Sequence, residues 1–296
     1  MPPRVQVLLA ALCFGTTGTA QALGPDGASP LTVGAARVAL GAMLLLLTVR
    51  LDAGSAATRL ASRPLVVGGL GVAGYQLCFF AAVDDTGVAV GTVAALGSAP
   101  AFAGLGGWLV DGIRPGKAWT VATALAGVGV ALMALSGSGA EVSATGVVLA
   151  LGAGASYAVF TLASKRLLDA GAAVERVMAG VFTLGAVLLV PVLLVGDIGW
   201  LASADGVAMA LWLGAVPTTL AYILFAHGLR LLPASEVATL TLAEPVTAAA
   251  LGAIALGERP GPLAVTGIAL IIGGLAVLAL RGQRGDPVPA AEGALP

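Results

Sequence analysis

Residues 98–116, SAPAFAGLGGWLVDGIRPG, align without a gap with residues 243–261, AEPVTAAALGAIALGERPG. The offset of 145 residues places Pro100 on Pro245 and one Arg-Pro-Gly tripeptide on the other. Over the wider window 90–135, 13 of 46 positions are identical at this offset. Abundant Ala, Gly and Leu explain some of these identities, but they do not explain prolines and charged tripeptides in one register. The stretch therefore indicates an internal repeat, and with it the architecture of the whole chain.

The composition indicates that the solvent of this chain is lipid. Of its 296 residues, 58% are hydrophobic and only 10% are charged, whereas soluble domains carry about 25% charged residues. A membrane-crossing helix needs about 20 apolar residues. The chain contains ten such runs: 5–23, 31–49, 64–83, 87–110, 117–135, 145–164, 177–196, 206–227, 235–256 and 262–280. We therefore expect an all-α, polytopic membrane protein with ten transmembrane helices.

The repeat assigns five of these helices to each half of the chain. Because five is odd, the second copy enters the membrane from the opposite side, so we expect two inverted five-helix repeats, a common design of secondary transporters. The first repeat would occupy 1–135 and the second 145–281. A linker at 136–144 would be extracytoplasmic, and a tail at 282–296 would be disordered and cytoplasmic.

Basic residues predict the orientation. If both termini are cytoplasmic, 12 of the 14 Lys and Arg residues fall in cytoplasmic segments, which is the bias expected of membrane proteins. These are Arg4, Arg50, Arg59, Arg63, Arg114, Lys117, Lys165, Arg166, Arg176, Arg230, Arg281 and Arg284. A cleaved secretory signal ending at Ala20-Gln21-Ala22 is the rival interpretation. It would leave nine spans and spoil the repeat.

Two charged side chains fall well inside the spans. Glu244 is the one acidic residue near a span centre, where a carboxylate is costly. It is either a proton-coupling group that lines a cavity or a structural carboxyl. Arg37 lies about a third of the way into span 2 from its outer end. It could pair with Glu244, bind an anionic group of a substrate, or snorkel outward and contact a carbonyl.

Three prolines are predicted helix breaks: Pro100, Pro217 and Pro245. A proline in mid-helix removes one backbone hydrogen bond and strains the preceding turn. Interrupted helices at matching places in two halves favour a nearby transport site. The alternative is a simple packing kink, which membrane helices tolerate.

Polar side chains within the spans are the candidates to bind a solute. With the two charged residues they form the predicted substrate-binding set: Thr16, Arg37, Tyr75, Gln76, Ser98, Tyr157, Thr218, Tyr222, Thr241 and Glu244. Taken singly, each uncharged member is more often an interhelical hydrogen bond than a ligand contact. Together they could line a modestly polar cavity with an aromatic wall.

Catalytic signatures are missing from the sequence. It contains no His-Glu-x-x-His zinc motif, no Gly-x-Ser-x-Gly elbow and no P-loop. We therefore expect no enzyme activity, no metal site and no cofactor. No Lys/Arg-rich stretch suggests a nucleic-acid partner.

Several motifs resemble the drug/metabolite transporter superfamily in its EamA branch. They are Arg37-Val38-Ala39-Leu40-Gly41-Ala42 before a leucine run, Ala221-Tyr222, Ala234-Ser235, Leu242-Ala243-Glu244-Pro245 and Leu256-Gly257-Glu258-Arg259-Pro260, followed by a Gly-rich final span. The resemblance covers about 5–281. The chain departs at Ile113, where the family usually has Glu in the first copy as well. The resemblance implies movement of small metabolites, often export of amino acids or related compounds, coupled to protons or exchange in bacterial inner membranes.

The leading hypothesis is a secondary transporter of amino-acid-like or drug-like solutes. It would work by alternating access in the inner membrane, as an exporter coupled to protons or solute exchange. The alternative is a non-transporting scaffold or sensor that uses small-residue faces such as Gly87-x-x-x-Gly91 to contact another chain. The expected partners are a small-molecule substrate, the lipid bilayer and protons, with a monomer and a homodimer both open.

Overall fold

The computed structural model describes residues 1–49, 62–112, 114–135, 143–257 and 259–282. Within these ranges the chain is helical and contains ten helices long and apolar enough to cross a membrane. They are α1 (Pro3–Ala22), α2 (Pro30–Thr48), α3 (Arg63–Asp85), α4 (Val90–Val110), α5 (Lys117–Leu135), α6 (Ala144–Asp169), α7 (Val174–Val195), α8 (Ala204–Leu231), α9 (Ala234–Ala255) and α10 (Pro262–Leu280). The predicted fold class, with its ten spans, is confirmed. Several predicted features lie outside the described residues. They are Arg50, Arg59, Ile113, Glu258 and Arg284, most of the linker and most of the tail.

Local sequence explains where many helices begin. Proline occupies the first turn of α1, α2 and α3, where its missing N–H costs nothing and its fixed φ suits a helix. Serine caps two others. The Ser143 hydroxyl accepts from the Gly146 N–H at the start of α6, and Ser203 does the same for Gly206 at the start of α8.

The third and fourth spans form one unbroken run of helical structure from Arg63 to Asp111. The chain nevertheless reverses direction within this run. The reversal follows from the close approach of Gly91 to Val83, since a methyl group on Gly91 would lie 3.4 Å from the Cα of Val83. Eight residues of straight helix would separate these positions by about 12 Å. The connection between the third and fourth spans is therefore made by sharply bent helical backbone, and Asp84 and Asp85 are exposed there.

Helix α5 packs against α10 through close glycine contacts. A methyl group on Gly267 would overlap the carbonyl oxygen of Gly129, and one on Gly274 would lie 2.7 Å from that of Ala122. Such contacts are expected where lipid supplies no hydrophobic drive and helices associate by close packing. From one contact to the next, the residue number increases on α10 and decreases on α5, so the two helices are antiparallel. An inverted repeat requires this relation, and the repeat itself stays a prediction.

Two helices of the second half change their hydrogen-bonding pattern midway. Helix α8 contains a π segment at Ala215–Leu220, which includes Pro217. Helix α9 contains a 3₁₀ turn at Thr241–Ala243, immediately before Glu244 and Pro245. By contrast, α-helix continues on both sides of Pro100. The interruptions thus differ from the matched pair expected from the repeat, since they lie in α8 and α9 and not in α4.

Candidate functional site

Two small adjoining cavities lie among the helices, and we call the residues that line them the central site. Both cavities are lined by Arg37, Tyr75, Tyr157 and Tyr222. The first also contacts Val38, Gly71, Val72, Gln76, Phe160, Phe182 and Thr218; the second also contacts Phe14, Thr17, Leu96, Ala99, Thr241, Leu242 and Glu244. Their volumes are about 20 and 40 Å³, which is room for a few water molecules. A drug-sized ligand needs about 300 Å³ or more, so the central site is too small for one in this conformation.

Arg37 is held at the central site by a buried amide. Its Nη2 donates to Oε1 of Gln76 at 3.0 Å, and Nε2 of Gln76 donates to the Gly34 carbonyl at 2.9 Å. The Nε of Arg37 is buried without a hydrogen-bond partner. The guanidinium is therefore fixed in place, but its donors are only partly used and its charge is not neutralised by Gln76.

Glu244 brings a carboxylate to the second cavity. It lies halfway along α9, in the first turn of the helical half that follows the 3₁₀ turn. Among the described residues, no hydrogen bond or ion pair involves this carboxylate, although Arg37 lines the same cavity. The central site thus holds two opposite charges that do not neutralise each other by direct contact.

An aromatic cluster forms the wall of the central site. The ring of Tyr222 lies 4.4 Å from that of Phe182 and 4.9 Å from that of Phe14, between centroids. Tyr157 packs at 6.1 Å from Tyr75, and its hydroxyl lies 3.4 Å from Oγ1 of Thr241. Rings with hydroxyl groups can take both an apolar body and a polar group of a ligand.

The sequence interpretation missed several members of this wall. Phe14, Phe160 and Phe182 line the cavities but carry no polar group that would draw attention in an apolar chain. One signal was available for Phe160. It follows Tyr157 by three residues, so the two rings share a helix face.

Eight of the ten predicted binding residues line the central site, and Thr16 and Ser98 do not. The Thr16 hydroxyl accepts from Nε1 of Trp212 at 3.2 Å, and it lines a separate open groove of about 330 Å³ with Trp212 and Asp205. The Ser98 hydroxyl donates to the Ala95 carbonyl, at the contact of α4 with Gly154 of α6. Both side chains therefore serve helix contacts in this conformation.

Positions related by the offset of 145 residues meet in the second cavity. Leu96 and Thr241 both line it, and so do Ala99 and Glu244. The first half of the chain thus contributes apolar side chains at the places where the second half contributes a hydroxyl and a carboxylate. Within these two matched pairs, the polar groups belong to α9.

The two ends of the helix bundle differ. At the end predicted to be cytoplasmic, Nε of Arg4 lies 2.6 Å from Oε1 of Glu236, and Nζ of Lys165 donates to the Arg230 carbonyl. These contacts join α1 to α9 and α6 to α8. At the other end, the groove between α1 and α8 is open past Leu23. Side-chain contacts therefore link neighbouring helices at one end, and an open groove lies at the other.

Comparisons with known proteins give consistent results. The EamA-like transporter family matches residues 4–135 and 144–280. The uncharacterized transporter YwfM of Bacillus subtilis (strain 168) is 41% identical over 286 residues, which covers 97% of this chain and 96% of the relative. A solved crystal structure superposes with a TM-score of 0.82 at 21% identity, covering 96% of this chain and 99% of that one. At such identity the last likeness shows the fold alone.

Proposed function

The chain belongs to the EamA-like transporter family, and we propose that it is a secondary transporter that moves small metabolites by alternating access. The solutes are amino-acid-like or drug-like, and the direction is export, coupled to protons or to exchange with a second solute. The protein is a multi-pass membrane protein. We place it in the bacterial inner membrane with both termini in the cytoplasm, where the basic residues are concentrated.

The observation that carries the proposal is a pair of ionisable groups of opposite type that share the central site without direct contact. Arg37 and Glu244 line one small cavity and form no ion pair with each other. A purely structural pair would be expected to make direct contact, because isolated charges within a membrane are costly. A solute that supplies the missing contacts fits this arrangement better.

The difference between the two ends supports alternating access. The Arg4–Glu236 and Lys165–Arg230 contacts link helices at one end, and an open groove at the other end is lined by Thr16 of α1. Phe14 and Thr17, on another face of the same helix, line the central site. Small movements of α1 against α8 and α9 would therefore change access from that end.

Glu244 is the proposed proton-coupling group. Its carboxylate has no fixed partner among the described residues, so it is free to bind a proton or a solute group in turn. Its position next to the 3₁₀ turn of α9 lets backbone rearrangement change its surroundings. Proton binding and solute binding at one carboxylate would make exchange of the two favourable.

Flux into vesicles that contain only this protein tests the proposal. Purified protein would be reconstituted in liposomes and loaded with pools of amino acids or cationic drugs, and counterflow of labelled solute would be measured. We expect uptake above that of protein-free liposomes for at least one pool. Absence of flux for every pool, with protein that melts cooperatively, would overturn the transport proposal.

The scaffold alternative depends mainly on the Gly87-x-x-x-Gly91 motif, and part of this motif is used for packing within the chain. Gly91 of the Gly87-x-x-x-Gly91 face packs on Val83 of the same chain, where a methyl group added to the glycine would lie 3.2 Å from Cγ2 of the valine. The close approach that the motif allows is therefore used inside the chain at Gly91. This favours the transporter over a partner-binding role for that face.

A further inference from the structure

Gln76 makes hydrogen bonds in the central site that a side chain serving only to pack helices together would not need. We propose that Gln76 positions the guanidinium of Arg37 without neutralising it, so that Arg37 accepts the carboxylate group of a solute. The inference rests on the proposed transport function and names a chemical class of solute for the same site.

The hydrogen bonds around Gln76 determine the orientation of its amide. The side chain is 2% exposed, and its Nε2 donates to the Gly34 carbonyl. Because the Nε2 end of this amide is its only donor and faces the Gly34 carbonyl, the acceptor Oε1 faces Nη2 of Arg37, at 3.0 Å. Gly34 lies one helical turn before Arg37 on α2, so the amide clamps the arginine to its own helix.

The close approach at Gly34 shows that this clamp is tightly built. A methyl group on Gly34 would overlap Cε2 of Phe80 and would lie 2.9 Å from Nε2 of Gln76. No side chain fits at that position without displacing one of these groups. The glycine therefore allows α3 to bring Gln76 against the backbone of α2.

The neutrality of the clamp decides what the site can bind. A carboxylate at position 76 would cancel the charge of Arg37, whereas an amide occupies one donor and leaves the charge in place. The Nε of Arg37 is buried without a partner, and a buried polar group without a partner is costly. Carboxylates are the usual partner of a guanidinium because they accept its paired N–H groups.

The surroundings of Arg37 suit the rest of such a solute. Val38, Val72 and Phe182 line the first cavity beside it. These side chains would contact an apolar part, while the carboxylate contacts Arg37. Since the cavity is small in this closed conformation, the solute would enter when the helices separate.

Matched acids and amides test the inference with the wild-type protein. The probes are 3-phenylpropanoate, 4-methylpentanoate, L-phenylalanine and L-leucine, each compared with its primary amide. Binding would be measured as the rise in melting temperature of purified protein across a concentration series. We expect at least one acid to bind about tenfold or more tightly than its amide, which is the effect of one charged hydrogen bond. Equal binding of acids and amides, or binding of no acid, would overturn the inference.

Substitution of Gln76 tests its positioning role. Gln76→Glu should remove the preference for the acid and leave amide binding equal or stronger, because Arg37 would be neutralised in place. A residue with a merely structural role would weaken both members of a probe pair together. An unchanged acid preference in Gln76→Glu would overturn the inference. If that variant does not fold, Arg37→Gln is measured instead, and it too should lose the preference.

Flux separates this inference from the proposed function. Transport of amides and acids alike would keep the transporter and remove the role of Gln76. A clear acid preference in binding without flux of that acid would remove the transport proposal and keep the assignment of the carboxylate-binding group.

Discussion

At the scale of single residues, the central site is defined by side chains whose bonding capacity is not used. Glu244 has no fixed partner among the described residues, and Arg37 has only the amide of Gln76. Both groups line a cavity and make no direct contact with each other. Binding of a proton or a solute at this site therefore depends on the few polar atoms of Glu244 and Arg37.

Glu244→Gln should uncouple transport from protons. The amide keeps the size of the side chain but cannot release or bind a proton at pH values near neutral. We expect solute counterflow to persist while acceleration by an imposed pH gradient is lost. The measurement is uptake by proteoliposomes with and without the gradient, together with an internal pH dye.

The matched control for this substitution is Asp84→Asn. Asp84 is an exposed carboxyl at the end of α3, so the same chemical change is made away from the site. It should leave the response to the gradient intact. Acceleration of Glu244→Gln equal to that of the wild type would remove Glu244 from the coupling mechanism.

At the scale of elements, α8 is held in its π segment by two threonines. The hydroxyl of Thr218 donates to the Leu213 carbonyl at 2.7 Å, and that of Thr219 donates to Gly214 at 2.8 Å. Both reach five residues back, so the side chains satisfy carbonyls that the widened turn and Pro217 leave without their usual donors. The interruption is therefore stabilised by its own sequence.

Thr218→Val should destabilise the protein by about 1 kcal/mol. The substitution keeps the branched shape but leaves the buried Leu213 carbonyl without this donor. Thr266→Val is the control, since the Thr266 hydroxyl donates to Pro262 on the exposed surface of α10. Chemical denaturation in detergent measures both. An equal effect of the two substitutions would contradict a special role for the π segment.

The α5–α10 contact gives a second prediction at this scale. Gly267→Ala should destabilise the protein by about 1–3 kcal/mol, because the added methyl would overlap the Gly129 carbonyl oxygen. The backbone of Gly129 cannot move away from the added methyl group without separating α5 from α10.

Gly273→Ala on the same helix supplies the comparison for Gly267→Ala. A methyl group at Gly273 meets nothing within 4 Å, and alanine favours helix by about 1 kcal/mol. Thermal melting should rank Gly273→Ala at or above the wild type and Gly267→Ala below it. The reverse order would show that the glycine contact does not hold α5 to α10.

At the scale of the whole molecule, the ion pair between Arg4 and Glu236 links α1 to α9 at one end of the bundle. Alternating access requires this end to open during each cycle. Cysteines at these two positions, joined by a short bismaleimide linker, should stop counterflow. The native Cys13 and Cys78 are free thiols, so both would first be replaced by alanine.

A reducible linker at the same positions controls for damage by the modification. Flux should return after the linker is cut with a reductant. Continued flux with the intact linker would exclude an opening at this end as a required step.

Sequence alone was sufficient for the number and type of the elements. The length of an apolar run decides whether a helix crosses the bilayer, and run length is a local property of the chain. The charged residues Arg37 and Glu244 also stand out locally, because charge within a span is rare. The ten helices and the choice of these two charged residues as candidates follow from these signals, whereas their meeting in one cavity does not.

The tertiary structure alone decided which faces of the helices meet. In a soluble protein, apolar periodicity marks the buried face. In lipid the outer face is as apolar as the core, so this signal disappears. For that reason the sequence groups Thr16 and Ser98 with the site although they serve helix contacts, and it gives no indication of Phe182, which lines the site. The bond from Arg37 to Gln76 joins two helices whose relative rotation only packing determines.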